Sequence, residues 1–382
     1  MVLTSILVYG SLTAIMFFSG KYAGERQDER NSLSINTTFF APEIILSLLA
    51  FAFICGARWD VGVDHTIYLR DYQYLEDTGH FLSRDNYEIG FSLIAKFFAL
   101  FHIHFFFYFA FLGFLQLFFV LYAFKDERYL YPYFAIIIVL GIFFLSWNNG
   151  IRQAIATCIF LYSYKFIRDR QFIKFLISIL LATLIHKSAL PFIIFYFILN
   201  RDLPYNRPTY IIILLISIYL GQNNFWIDKV HYVERLYDAI GYTDYSENFS
   251  VLIANSIKLS FGGRTSILLL LCLLNTYFFQ EVYEFFNKRK SIKTYFILYF
   301  TGMVLFFMLF NAYSAFKRIT LYFLIFEIPS LSYLFEYSKN KNKTLYYSLI
   351  GLFIIFALAT FILESKGNAD TSNYKFFWNY II

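Results

Sequence analysis

The chain has 382 residues, of which 59% are hydrophobic, 23% aromatic and only 15% charged. A water-soluble domain of this length could not hide so much apolar surface, so a soluble enzyme or binding module is excluded. The net charge of +6 resides in short polar segments between apolar blocks, and no basic run suited to nucleic acid occurs. The blocks, about 14 to 22 residues each, have the pattern of serial bilayer crossings, so the expected fold is an all-α polytopic membrane protein of about twelve transmembrane helices.

Taken in chain order, Val2 to Ser19 has no basic residue ahead of it and no small-residue cleavage pattern after it. It reads as a first helix rather than a secretion signal. A charged loop follows (Lys21, Glu25, Arg26, Asp28, Glu29, Arg30), and a second block opens at Pro42, where a missing backbone donor costs least. Further blocks are predicted near 104–124, 131–147, 151–168, 173–186, 188–200, 208–221, 265–286, 294–311, 318–337 and 345–363. Glu88 to Phe101 is apolar but short and holds Lys96 in its middle, so it is predicted to lie at the interface or re-enter, not to cross. With it excluded, the loops around 20–40, 125–130, 165–174, 200–208, 287–293 and 338–344 share one side and hold 18 of the 32 Lys and Arg residues. That side is therefore cytoplasmic, and both termini lie outside. Segments 58–103 and 222–264 are too long to be turns and become external caps on a single transmembrane domain, 1–382. Within the second, Asp228 to Ile240 is predicted to be an amphipathic surface helix, with Val230, Val233, Tyr237 and Ile240 opposite Lys229, Glu234, Arg235 and Asp238. Cys55, Cys158 and Cys272 sit in or at the ends of apolar blocks and read as packed thiols.

Missing motifs narrow the chemistry. There is no phosphate-cradling Gly-rich loop with Lys-Ser or Lys-Thr, no His-Glu-x-x-His, no Cys-x-x-Cys and no Gly-x-Ser-x-Gly. ATP-driven transport, zinc proteolysis and serine hydrolysis all lose ground. His102 and His104 stand one residue apart, but their Phe-rich surroundings offer no carboxylate to orient a metal ligand, so they read as interfacial histidines. No metal and no cofactor is expected.

What remains is polar residues at the outer ends of helices. Arg58-Trp-Asp-Val-Gly-Val-Asp64 leaves the second helix, and Tyr87-Glu-Ile-Gly90 precedes the short apolar segment. Ser146-Trp-Asn-Asn-Gly-Ile-Arg-Gln-Ala154 and Leu184-Ile-His-Lys-Ser-Ala-Leu190 make tight outer turns. Phe261-Gly-Gly-Arg264 closes the second long loop, and Ala315-Phe-Lys-Arg318 precedes a late helix. Arg152, Arg264 and Arg318 each fall at the start of a helix descending from outside. There the unpaired backbone N–H groups and the positive helix end add to the guanidinium. Together they predict an anion site suited to phosphate oxygens, with Gly150 and Gly262-Gly263 permitting close approach. Singly, each arginine could equally be a headgroup contact. His186 is open between a helix-end histidine bonded to a carbonyl and a catalytic group. Asp60 and Asp64 are open between function and a solvated loop or salt bridge to Arg58 or Arg70, and Glu88 could simply cap the short helix after it.

The ordered set Arg58…Gly62-x-Asp64…Tyr68, Glu88-x-Gly90, Ile151-Arg-Gln-Ala154, Ile185-His-x-Ser-Ala189 and Lys317-Arg318…Tyr322 resembles the EpsG-like branch of Wzy-type polysaccharide polymerases, over residues 40–337. The family's usual Gly-Thr-Asp reads Gly62-Val-Asp64 here, which keeps the carboxylate. The resemblance implies a multi-pass bacterial inner-membrane glycosyltransferase with a GT-C-like fold, acting at the periplasmic face in O-antigen or capsule synthesis. The implied reaction moves a growing glycan from undecaprenyl pyrophosphate onto a lipid-linked repeat unit, with inversion and without metal. On that reading Arg152, Arg264 and Arg318 hold the pyrophosphate, and His186, Asp64 and Glu88 are the candidate bases. Arg58, Asp60, Tyr68, Gln153, Lys317 and Tyr322 bind sugar or support the site. Trp59, Trp226, Tyr242 and Tyr245 could pack on sugar faces. The implied partners are undecaprenyl-pyrophosphate-linked oligosaccharides, membrane lipids and a chain-length regulator. A flippase for the same lipids and an acyltransferase that modifies the glycan are the competing functions. The flippase would favour charges in mid-helix, whereas these polar residues cluster at one face.

Overall fold

Backbone N–H and C=O groups in lipid must be satisfied within the chain, and apolar blocks rich in Leu, Ile and Phe meet that demand by coiling. In the computed structural model every element among the described residues is accordingly helical, apart from one isolated antiparallel bridge between Arg58 and Phe376. The structure describes residues 2–33, 38–82, 87–141, 143–199, 201, 203–225, 235, 262–312, 317–365 and 373–380. They divide into two compact units, residues 1–196 with 344–382, and residues 197–343.

The first unit begins with α1 (Val2–Ser32), which continues through the charged stretch that was expected to be a loop. Lys, Glu, Arg and Gln are strong helix formers, and Lys21 and Glu25 pair one turn apart at 3.8 Å. At about 47 Å, α1 is longer than the hydrocarbon layer is thick, and its polar end is anchored. Arg26 reaches Glu43 at 3.1 Å, the Gln27 amide donates to the Lys125 carbonyl at 2.9 Å, and the Gln27 carbonyl accepts from Arg128 N–H at 3.0 Å. α2 (Pro42–Ala57) runs back antiparallel and packs on α5 (Phe105–Ala123). In sequence, α3 (His65–Thr78) and α4 (Ile89–Leu100) come between α2 and α5. α6 (Tyr131–Ala135) passes into a wider π-type turn over Ile136–Leu140, and α7 (Phe143–Asn149) leaves it at 58°. α8 (Ile151–Arg168), α9 (Phe172–Ile185), a 3-10 stretch Lys187–Ile194 and α10 (Phe195–Leu199) follow.

In the second unit α11 (Arg207–Gln222) packs on α13 (Lys290–Met308), with Gly221 so close to the Phe307 carbonyl that any Cβ would overlap it. α12 (Gly263–Phe285) is tied to α11 by Arg207, which meets both Glu281 oxygens at 2.9 Å. A turn Arg318–Thr320 leads into α14 (Leu321–Leu324) and α15 (Glu327–Lys341), and Asn275 of α12 donates to Ser330 at 2.7 Å. α16 (Lys343–Ser365) returns the chain to the first unit.

About twelve crossings were expected; by length and composition six described helices qualify, or seven if the bent α6–α7 pair is one span. The difference has two physical sources. α2, α9, α11 and the Lys187–Leu199 segment are 10–17 residues long, at most about 26 Å against a hydrocarbon thickness of about 30 Å. α8 is 18 residues long but carries Arg152, Lys165 and Arg168. The Glu88–Phe101 segment forms α4, at about 18 Å too short to cross alone, with Lys96 exposed beside Leu93 and Phe97. His102 faces Glu76 at 3.3 Å, and His104 caps α5 by accepting Phe106 N–H at 3.2 Å. Cys55, Cys158 and Cys272 are buried free thiols. Trp226, Tyr242, Tyr245, nearly all of the Asp228–Ile240 helix and most of segment 222–264 lie outside the described residues.

Candidate functional site

Two glycines explain how short motifs far apart in sequence meet in the first unit. Gly62 has φ +93°, and a Cβ on it would stand 2.9 Å from the Asn148 carbonyl oxygen. The loop after α2 can therefore lie directly on the end of α7, where Asp64 N–H donates to Asn149 Oδ1 at 3.0 Å. Asp64 occupies the cap position of α3, half-buried, without a side-chain bond to the helix. Gly90 plays the second part: a Cβ there would be 2.8 Å from the Leu184 carbonyl, so the start of α4 can press against the end of α9. That contact delivers Glu88 to His186.

Glu88 is buried, and both its oxygens are held by donors from other elements. Its Oε1 takes His186 Nδ1 at 2.9 Å and the Lys187 N–H at 3.2 Å, and its Oε2 takes Nη1 of Arg152. Burial alone would raise the Glu88 pKa, but the hydrogen bond from His186 and the charge of Arg152 outweigh it and hold the carboxyl at about 2. An ionised carboxylate only accepts, so Nδ1 of His186 carries the hydrogen and the basic lone pair lies on Nε2. Arg152, in the first turn of α8, lies 4.7 Å over the Tyr87 ring and 5.7 Å from that of Phe91, and its Nε donates to Tyr68 Oη at 3.4 Å. Tyr87 in turn donates to Asp71. The cluster joins an oriented imidazole to a guanidinium through one carboxylate. Gln153, next to Arg152 on α8, is buried.

Arg58, at the end of α2, is buried as well. Its Nη1 donates to the Cys55 carbonyl at 3.1 Å and to Asn148 Oδ1, and the Phe109 ring lies 5.0 Å away. Asp60 forms no pair with Arg58 or Arg70: it faces Lys375 at 3.8 Å, and its N–H donates to His65 Nδ1 at 3.1 Å. Burial, aided by the Arg58 charge, lowers the His65 pKa to about 2, so this imidazole is neutral. Trp59 stacks on Tyr380 at 6.2 Å.

The EpsG family model matches residues 44–381. This chain belongs to the EpsG family. No curated protein and no solved structure matches it. The family match reaches past residue 337, where the motif resemblance stops, and takes in Asn373–Tyr380, a strap lying over Arg58.

The remaining residues that the motifs single out in this EpsG protein lie in the second unit. Arg264 stands in the first turn of α12, half-buried, and Arg318 opens the turn before α14, exposed. Lys317 donates to the Phe310 carbonyl at 2.6 Å; burial, then the charge of Arg264, lowers its pKa. Tyr322 is fully buried. The three arginines are thus divided, Arg152 in the first unit and Arg264 and Arg318 in the second, and Arg152 already has a carboxylate partner. Sequence reading missed Tyr87, Asp71, His65, Asn148, Asn149 and Lys375 as parts of the site. Tyr87, Asn148 and Asn149 lie inside or beside motifs and were within reach; Asp71 and Lys375 carried no local signal.

Proposed function

We propose that this EpsG-family protein is an inner-membrane polysaccharide polymerase that transfers a growing glycan from undecaprenyl pyrophosphate onto a lipid-linked repeat unit at the periplasmic face. Family membership associates the chain with polysaccharide biosynthesis. The observation that carries the finer reading is the Glu88 carboxylate holding Arg152 and His186 together. Glycosyl transfer needs that combination, a cation for the departing pyrophosphate and a base for the acceptor hydroxyl. The acceptor oxygen attacks the anomeric carbon, its proton passes to His186 Nε2, and the C–O bond breaks with its electron pair leaving on the pyrophosphate beside Arg152. Attack from the far face inverts the anomeric centre. Glu88, held at about 2, is too weak a base for the proton and acts by orienting its two partners. Asp64 and Tyr68 read acceptor hydroxyls, and Trp59 packs against a sugar face.

The proposal takes α2, α8, α9, Lys187–Leu199 and α11 as further crossings in a locally thinned bilayer, which brings the count to twelve in a GT-C-like fold, with α3 and α4 at the periplasmic side. The test is purified protein incubated with a lipid-linked repeat unit and no nucleotide. A ladder of lengthened glycans is expected; unchanged single units would overturn the reading. In a deletion strain, lipid A core bearing one repeat unit supports a polymerase, total loss of glycan points to a flippase, and a normal ladder with altered acetylation points to an acyltransferase.

A further inference from the structure

Arg152 is already paired with Glu88, so a second anion can use it only if the guanidinium keeps its place while changing partner. Its other contacts are mostly aromatic. The guanidinium carbon lies 4.7 Å over the Tyr87 ring and 5.7 Å from that of Phe91, and Nε donates to Tyr68 Oη at 3.4 Å. The Tyr87 ring is itself fixed on several sides. Its hydroxyl donates to Asp71 Oδ2, Tyr68 stacks on it at 6.4 Å, and Phe81 and Phe91 meet it at 4.9 and 5.4 Å. Asp71 is buried and stands three positions after Tyr68 on α3. One face of that helix therefore supplies both the oxygen on Arg152 Nε and the anchor of the ring beneath the guanidinium. α3 is seated in turn by Tyr72, which stacks on Tyr108 at 4.7 Å and donates to the Ile103 carbonyl. Burial, then the bond to Asp71, pushes the Tyr87 hydroxyl far above its ordinary range, so the phenol keeps its hydrogen and stays a donor.

Resting on the glycosyl-transfer reading of this site, we propose that Asp71 and Tyr87 are positioning residues that keep the Arg152 guanidinium seated on a ring face while its Nη1 passes from Glu88 to a pyrophosphate oxygen. A hydrogen bond holds a guanidinium at one angle, whereas attraction to a ring face is centred on the cation and depends little on where its N–H groups point. The cation can therefore exchange one anion for another without leaving its seat. Asp71 strengthens that seat in two ways. It fixes the ring, and a phenol that donates to a carboxylate carries more electron density in its ring, which draws the cation more strongly. As the glycosidic bond breaks and charge gathers on the pyrophosphate, a guanidinium already in place stabilises it without first reorganising. Phe91, farther off and with no polar anchor, cannot replace the Tyr87 ring.

The experiment replaces Tyr87 in the full chain, in detergent, by phenylalanine and by phenylalanines carrying one, two or three ring fluorines, all compared at equal folded fraction. Fluorine withdraws electron density from the ring with little change in size, so a role in packing alone would not follow the series. Undecaprenyl pyrophosphate should bind more weakly at each step, by about tenfold or more at three fluorines. Modification of Arg152 by phenylglyoxal, read by mass spectrometry, should quicken in the same order. Asp71→Asn should weaken binding about threefold or more in the otherwise wild-type chain, and should add nothing to Tyr87→Phe, where Asp71 has no hydroxyl to hold. Binding and Arg152 reactivity that stay level across the fluorine series would overturn the proposal. So would an Asp71→Asn loss of the same size with and without the Tyr87 hydroxyl. Arg152 reactivity needs no substrate, so the two failures separate: a wild-type chain that builds no ladder defeats the glycosyl-transfer reading, whereas a normal ladder with a level fluorine series defeats the positioning role alone.

Discussion

Glu88 satisfies a guanidinium, an imidazole and a backbone N–H with two oxygens, so its replacement separates shape from charge. Glu88→Gln keeps the outline but turns one acceptor into a donor facing Arg152 or His186, and chain elongation should fall by about 10²-fold or more, read from the glycan ladder at equal expression. Arg152→Lys keeps the charge but loses the planar fork over Tyr87, and should also lose long chains. His186→Ala should fail in turnover while still binding undecaprenyl pyrophosphate, which separates base from anion ligand. Acid stability follows from the same residues. As pH falls below 6.5, the unfolded chain protonates its His65 while the buried one, at about 2, stays neutral, so stability declines from there. Glu88 adds a second decline. Its carboxyl, ordinarily at 4.5, is held at about 2, so the unfolded chain again takes the proton first, and a contribution on the order of 3 kcal/mol present above pH 4.5 is lost by about pH 2. Melting curves in detergent should show both ranges, and Glu88→Gln should abolish only the lower one. The sequence made Glu88 visible as a polar residue at a helix start. It left capping and catalysis equally open, because Arg152, His186 and Lys187 lie 64 or more positions away.

Helix ends, rather than helix bodies, set the site. Gly90→Ala would press a methyl group onto the Leu184 carbonyl and push α4 from α9, carrying Glu88 away from His186. It should cost about 1 to 3 kcal/mol and remove activity, while Gly351→Ala, where a Cβ meets nothing within 4 Å, should be neutral or slightly stabilising. Thermal unfolding of the two variants makes the comparison. α4 itself should leave its flanks on one side of the membrane. Cysteines placed at Leu82 and Ile103 should label from the same face, and opposite faces would reverse the sidedness of every later loop. Most elements were legible as apolar blocks, since lipid leaves the chain few alternatives to helix. Two were not. The charged half of α1 reads as a loop because its helix is held by contacts with residues 43, 125 and 128 rather than by an apolar face. The α6–α7 bend is also hidden, since the run Ile136–Leu140 is uniformly apolar and contains no proline.

For the molecule as a whole, charge stabilisation is assigned to arginines and helix ends, so glycan elongation by the purified protein should continue in excess EDTA; arrest by EDTA and restart with magnesium would defeat that assignment. Arg264→Ala and Arg318→Ala test the second unit's part. Each should shorten the ladder at equal abundance, and normal ladders would return both to membrane-surface contacts. The division into two units was not legible, because the apolar blocks alternate without a break in composition at residue 197 or 343. Nor was the strap. In a chain with 51 Phe and 33 Tyr, the aromatic run Tyr374 to Tyr380 stands out from nothing around it. Its position has a consequence for biogenesis. The first unit is completed by α16 and by residues 373–380, which the ribosome delivers only after all of residues 197–343. Ser5 and Ile54, which bond to Tyr374, and Trp59, which bonds to Lys375, must therefore wait, inserted but unsealed, while the whole second unit enters the membrane, and a pulse-labelled chain should gain protease resistance around Trp59 only after synthesis has passed residue 380.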